Sequence, residues 1–381
     1  MRPRHLQSLI AVAAFSCLAL AACTAAQTPS ASPSASTPAS PSMTPSTKPS
    51  STPPAPSRES GAVAPADEPV DVVTGLAAPW SVAFLGDTPL ISQRDDGTVL
   101  EVTGDETRAI GTVEGVVHAG ESGLLGLAVD DQDRLYAYST GPDGNRIQRY
   151  PVTGEPGALA LGEPETVVDG LPWASHHDGG RIAFGPDGML YATVGDAGQG
   201  DSAQDVESLA GKILRMTPDG DVPDDNPFGD SLVYSYGHRN PQGLAWAEDG
   251  TMFAAEFGQD TWDELNVITP GGNYGWPDVE GIAGREDYLD PVQQWSPEQA
   301  SPSGIAIAGG TIFLANLRGQ VLRAVPVADP TTSTDFYAGA YGRLRAVISA
   351  PDGDLWFLTN NTDGRGTPGD GDDRLLSVPV G

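Results

Sequence analysis

Gly185-Pro186-Asp187-Gly188-Met189-Leu190-Tyr191-Ala192-Thr193-Val194 is the stretch on which the fold turns. Proline with its fixed φ, followed by a glycine free to take positive φ, makes the first four residues a tight turn. The six that follow are aliphatic, aromatic or β-branched and too few for a helix, so they form a short strand. Runs of the same kind stand at residues 89–92, 134–138, 252–255, 312–315 and 355–359, which makes six copies in all. Each copy is followed by a second short apolar run, at 98–100, 146–148, 212–214, 264–266, 320–322 and 374–376. The copies recur every 40 to 60 residues or so, the length of one propeller blade with its loops. Such a hairpin cannot cover both of its faces alone, whereas sheets packed radially cover one another. The expected architecture is all-β: a six-bladed β-propeller of four-stranded antiparallel sheets, occupying residues 67–381. The strand-like residues 70–74 precede the first copy and should close the ring by pairing near the C-terminus.

Upstream of the repeats the chain changes character. Arg2, Arg4 and His5 precede an apolar stretch, residues 9–20, and then Leu20-Ala21-Ala22-Cys23. A charged start, an apolar run too short to span a bilayer comfortably and small residues before a cysteine read as an export signal, residues 1–22, with Cys23 as a lipidated anchor. Residues 23–66 are nearly all Pro, Ser, Thr and Ala after the cysteine, which bury too little to offset chain entropy and read as a mobile tether. Cys17 and Cys23 are the only cysteines, so the folded body carries no thiol chemistry. The whole chain's net charge of −31 argues against nucleic acid as a partner. The expected location is the extracytoplasmic face of a membrane, held through the lipid alone.

Propeller function gathers in loops around the channel mouth, and five glycine-rich loops carry chemistry. His176-His177-Asp178-Gly179-Gly180-Arg181 offers a histidine suited to taking a proton near neutrality, with Asp196 able to orient it. Taken alone, the pair could equally ligate a metal or pack a loop. Tyr236-Gly237-His238-Arg239-Asn240-Pro241-Gln242-Gly243-Leu244 offers the donors Arg239 and Asn240 for an anionic oxygen or a quinone carbonyl. The segment from Ala255-Glu256-Phe257-Gly258-Gln259-Asp260 to Gly272-Asn273-Tyr274-Gly275-Trp276-Pro277 supplies hard oxygen ligands suited to Ca²⁺, without EF-hand spacing. Arg318 in Asn316-Leu317-Arg318-Gly319, and Arg343 and Arg345 in Tyr341-Gly342-Arg343-Leu344-Arg345, stand out because the chain has only 20 Lys and Arg. Arg343 and Arg345 share a face on any strand and could clamp carboxylates.

Together these stretches resemble the glucose/sorbosone dehydrogenase family, most specifically through Gly-His-Arg-Asn-Pro-Gln-Gly-Leu at 237–244 and Gly-Gly-Asn-Tyr-Gly-Trp-Pro at 271–277. Further matches are Glu121-Ser122-Gly123-Leu124-Leu125-Gly126-Leu127 and Gly211-Lys212-Ile213-Leu214-Arg215. The resemblance implies pyrroloquinoline quinone (PQQ) over the channel mouth with Ca²⁺ bound to it, and an aldose sugar oxidised to a lactone. It implies His177 as general base, Asp196 as its orienting carboxylate, and Arg239 and Asn240 beside the quinone oxygens. Glu121, Arg318, Arg343 and Arg345 would complete the cofactor site. Carbonyls of Gly258 and Gln259 would hold the catalytic Ca²⁺, with Glu264 and the Tyr274 carbonyl at a second, structural ion. Electrons would leave to an unidentified acceptor.

Three departures set the chain apart from the soluble glucose enzyme. Glu121 and Arg318 replace a Gln and a Lys, and there is no room for the long loop before Trp295. An aldose dehydrogenase with broad specificity, acting as a monomer, is the expectation. Two other classes compete: a sugar lactonase, which would not need the arginine set, and a sugar-binding propeller without redox activity.

Overall fold

A computed structural model of the chain describes residues 61–381. The export signal at 1–22, Cys23 and the tether up to residue 60 lie outside the described residues. Six antiparallel sheets account for the rest, five of four strands and one carrying an additional two-residue strand. Each of the six runs picked out in the sequence is the second strand of a blade: Thr88–Gln93, Arg134–Gly141, Leu190–Val194, Met252–Glu256, Thr311–Asn316 and Leu355–Thr359. The innermost strands are Pro79–Leu85, Leu124–Val129, Ile182–Phe184, Pro241–Trp246, Pro302–Ala308 and Leu344–Ser349. Each touches the next and the sixth touches the first, so they close a circle. Closure of the last blade is by a strand from the other chain end, Val70–Val73, which pairs antiparallel with Leu375–Val378. Residues a few positions before the expected boundary at 67 already pair with the C-terminal segment. Ala64 donates to the Gly381 carbonyl at 3.2 Å and Ala66 to that of Pro379 at 2.9 Å.

The turns that punctuate the repeat behave as their residues require. Gly188 has φ +75° and donates to the Gly185 carbonyl at 2.9 Å, while Asp187 accepts the Met189 amide at 3.1 Å. Gly353, at φ +92°, repeats the pattern with Ala350, and Asp352 accepts from Asp354. A side chain with Cβ would strain both positions.

There is no single core. Apolar side chains fall into six clusters, each lying mainly between two neighbouring blades. Alternation along the strands does the sorting. Leu190, Ala192 and Val194 face the second blade, while Tyr191 faces the fourth. Ile312 and Leu314 face the fourth, Phe313 and Ala315 the sixth. Both faces of every sheet are therefore dry, which explains why the second strands read as nearly unbroken apolar runs.

Candidate active site

Hairpin topology puts the site at one end. The entry of each innermost strand lies opposite the exit of its second strand, as Pro241 lies opposite Glu256, and Leu344 opposite Thr359. Glu121, His177, Arg239, Asn240 and Arg343 all sit at or just before an innermost strand. Asp196, Gly258, Arg318 and Asp363 sit just after a second strand. All therefore come out on the same rim.

His177 is held in the left-handed region, φ +58°, an unfavourable state for a residue with a side chain. Its carbonyl lies where a Cβ on Gly195 would be, and its amide donates to Glu121 Oε2 at 2.9 Å. The ring's Nδ1 is 2.7 Å from Asp196 Oδ1, which also accepts the Gly198 amide. Trp276 Nε1 donates to Asp196 Oδ2 at 2.8 Å. Burial works against ionisation of Asp196, but His177, the Gly198 amide and the Trp276 indole together hold it below the usual carboxylate range. That leaves Nε2 of His177 without a hydrogen-bond partner among the described residues. His176 is exposed and only packs edge-on against His177. The geometry thus gives His177, and not His176, a carboxylate partner. Asp178, beside them, is pushed up to about 7, chiefly by burial. Its Oδ1 accepts from Asn145 and the Ala174 amide, and its Oδ2 is buried with no partner.

From His177 the contacts run through Glu121 into an open-mouthed cavity of about 540 Å³. Trp80, Glu121, Gln242, Phe257 and four arginines, Arg318, Arg343, Arg345 and Arg365, line it. Glu121 Oε1 lies 3.7 Å from Arg365. Arg343 and Arg345 share the buried Asp363, at 3.2 and 3.8 Å, and burial holds both guanidiniums below their usual range. Arg343 Nε is buried with no partner. Arg318 is half exposed and pairs with Glu298 at the rim. Four guanidiniums meeting so few carboxylates, in a chain of net charge −31, fit a planar polycarboxylic acid such as PQQ.

A second, smaller cavity of about 230 Å³ shares the Phe257 and Arg239 neighbourhood. Glu256, Gly258, Glu264, Tyr274 and Glu280 line it. Glu264 is held well above the usual carboxylate range, first by burial and then by Glu256. Glu280 Oε1 accepts the successive amides of Gln259, Asp260, Thr261 and Trp262 at 2.6 to 3.2 Å. This clamp closes the turn so tightly that a Cβ on Gly258 would strike the Trp262 carbonyl. Among the described residues no three His, Cys, Asp or Glu form a metal centre by side chains alone. A small space between repelling carboxylates and exposed carbonyls nevertheless suits a hard cation such as Ca²⁺.

Some expected site residues take different positions. Arg239 does not line the large cavity. Its guanidinium is tied to the Gln259 side chain at 2.7 and 3.0 Å and to the Phe257 carbonyl, over the face of Trp276. Asn240 is fully buried and pins loops together: Oδ1 accepts the Gly179 amide and Nδ2 donates to Glu121. Both have their hydrogen bonds satisfied within the protein, because the Glu256 carboxylate captures the Arg239 and Asn240 amides and draws this turn inward. Gln259 does not line the small cavity, whereas Gly258, Glu264 and Tyr274 line it together. Sequence reading missed Trp80, Asp363, Arg365 and Glu280. Arg365 follows the sixth second strand as Arg318 follows the fifth, so its place in the repeat was the available signal. Trp80 and Glu280 carried none.

The ring, the histidine–carboxylate pair and the arginine-lined cavity define a propeller oxidoreductase site for an anionic cofactor. Residues 76–368 match the glucose/sorbosone dehydrogenase family, and the chain belongs to it. As a member it is a quinone-dependent oxidoreductase. It is similar to the PQQ-bound aldose sugar dehydrogenase of Streptomyces coelicolor, with 48% identity, TM-score 0.80, and coverage of 85% of this chain and 99% of that one. Aldose sugar dehydrogenase YliI of Escherichia coli is 29% identical over 79% of this chain and 92% of its own length. Quinoprotein glucose dehydrogenase B of Acinetobacter calcoaceticus is 30% identical over 63% of this chain, and the match spans 59% of that enzyme.

Proposed function

We propose that this protein oxidises aldose sugars at the anomeric carbon to lactones, with PQQ in the arginine-lined cavity and a calcium ion beside it. One observation carries the reading: the His177–Asp196 pair is joined through Glu121 to the same cavity that Arg343, Arg345 and Arg365 line. A sugar lying over that cavity would present its anomeric hydroxyl to His177.

The ionised Asp196 accepts the Nδ1 proton, which fixes the tautomer with Nε2 as the proton acceptor. His177 then takes the hydroxyl proton at Nε2 while the anomeric hydride departs. The quinone, when bound, would supply the two-electron acceptor, and a calcium ion beside it would supply Lewis-acid polarisation. Arg343, Arg345 and Arg365 would hold the cofactor's carboxylates, with Arg318 at the rim. Asn240 and Glu121 keep the His177 loop in register with the cavity. Gly258, Glu264 and Tyr274 would hold the cation, and the Glu280 clamp keeps its wall in shape.

Electrons pass on to a separate acceptor. A lipid anchor at Cys23 would hold the enzyme at the extracytoplasmic membrane face, and the absence of a long loop before Trp295 favours a monomer. The test is reconstitution of the purified protein with PQQ and Ca²⁺, followed by dye reduction with a panel of mono- and disaccharides. Activity across several aldoses is expected. His177→Ala should lower turnover by ~10²-fold or more with quinone affinity unchanged, in line with the loss of a general base. An undiminished rate in that variant would remove His177 from the mechanism, and lactone hydrolysis without dye reduction would favour the lactonase.

A further inference from the structure

Arg181 ends the loop that carries His177, yet the reaction above makes no use of it. It sits on the propeller axis at the start of the third innermost strand and is buried. Its Nε donates to the Gln242 carbonyl at 2.9 Å and its Nη1 to Ser81 Oγ at 3.2 Å. Its Nη2 is buried with no partner. No carboxylate among the described residues comes within ion-pairing distance of it, in contrast to Arg343 and Arg345, which share Asp363. Burial pushes it down to about 9, so it stays protonated at neutral pH. The guanidinium carbon stands 4.2 Å from the centre of the Trp80 ring, and that of Arg345 stands 5.8 Å from the same ring. Trp80 in turn is a wall of the large cavity.

An unpaired buried guanidinium costs several kcal/mol, and an apolar residue of the same volume would fill the axis more cheaply. The contact with Trp80 and the two hydrogen bonds offset part of that cost. A charge kept at net cost directly behind a cofactor wall has a function its packing does not explain.

We propose that Arg181 is a positioning residue for the cofactor cavity: it fixes Trp80 as a rigid wall and places an uncompensated positive charge behind it that favours the reduced cofactor. The proposal rests on the quinone reading above. A hydride brings two electrons and one proton, so the acceptor gains one negative charge until a second proton reaches it. A buried cation therefore binds the reduced state more tightly than the oxidised one and raises the reduction potential, because little solvent screens it.

The experiment uses the full chain loaded with PQQ and Ca²⁺, and compares wild type with Arg181→Lys, Arg181→Gln and Arg181→Met. Quinone affinity is read from tryptophan fluorescence titration, and the midpoint potential from spectroelectrochemical titration. In the two neutral variants the ratio of reduced to oxidised binding should fall about tenfold, equivalent to about 30 mV for a two-electron couple. Arg181→Lys should hold the wild-type potential, even with looser packing on Trp80. Neutral variants that bind quinone at the wild-type potential would overturn the charge role. So would an Arg181→Lys protein whose potential falls by about 30 mV, a test that stands if the neutral variants fail to fold. A wild-type protein that takes up no quinone would instead overturn the cofactor reading itself.

Discussion

Two cavities lie side by side behind the Phe257 wall, and their charges are opposite. The large one is lined by Arg318, Arg343, Arg345 and Arg365 and relieved by only a few carboxylates. The small one is lined by Glu256, Glu264 and Glu280, with Arg239 at its edge. Like charges gathered in one buried space are unfavourable until a counter-charge arrives. An anionic cofactor would answer the first and the divalent cation proposed above the second. Their adjacency would let each bound group stabilise the other. The contrast also separates burial from rim position within the cationic set: Arg343 is nearly buried, with an unpartnered Nε, whereas Arg318 is about half exposed.

The sharpest way to break this comparison is Arg343→Met. It removes a buried charge-assisted donor and should weaken PQQ binding by roughly ten- to a hundredfold, measured by fluorescence titration. An affinity within twofold of wild type would mean the cavity does not hold the acid. Glu280→Ala addresses the acidic side. Loss of the clamp on the amides of residues 259–262 should loosen the turn and lower calcium affinity about tenfold, read by calorimetry in the absence of quinone. Millimolar Ca²⁺ should restore the variant, whereas a purely structural lesion would not respond to the ion.

A control outside both cavities uses Asp178. Its folded value, about 7, lies above the unfolded one, so the folded state binds the extra proton between about pH 4 and 7. Its stabilising contribution is present below that window and is lost as the pH rises through it. Asp178→Asn should flatten this part of the stability curve by an amount on the order of a few kcal/mol, checked by thermal melts from pH 4 to 8. A slope unchanged in the variant would show that other carboxyls set it. The smallest effect belongs to Arg318→Ala, where an exposed pair with Glu298 is worth at most ~1 kcal/mol. It should change quinone affinity only a few-fold, and more at low salt than at high.

Much of the architecture was legible because a propeller repeats itself. Tyr191 and its neighbours in 190–194 disclosed a strand, and five further copies disclosed how many blades must stack to cover it. The rim assignment followed from topology once the hairpins were known: whatever precedes an innermost strand meets whatever follows a second strand. That logic brings His177, Asp196, Arg343 and Arg345 to the same rim. It brings Arg239 and Asn240 to that rim as well but does not show their inward turn, which depends on a carboxylate 16 to 17 residues away, Glu256. It failed for Glu280, whose carboxylate reaches back about twenty residues to amides that have no side-chain signature.

By itself, the sequence determined the strand periodicity, the number of blades and the identity of the groups able to do chemistry, since these depend on local alternation and residue type. Tertiary structure alone decided which histidine acquired a carboxylate partner and which arginines stayed unpaired. It also decided that a buried cation, Arg181, would pack against Trp80, a wall of the cavity. Such relations are set by where closed rings bring distant chain segments within a few ångströms, a distance at which electrostatic energies are large and about which linear spacing carries no information.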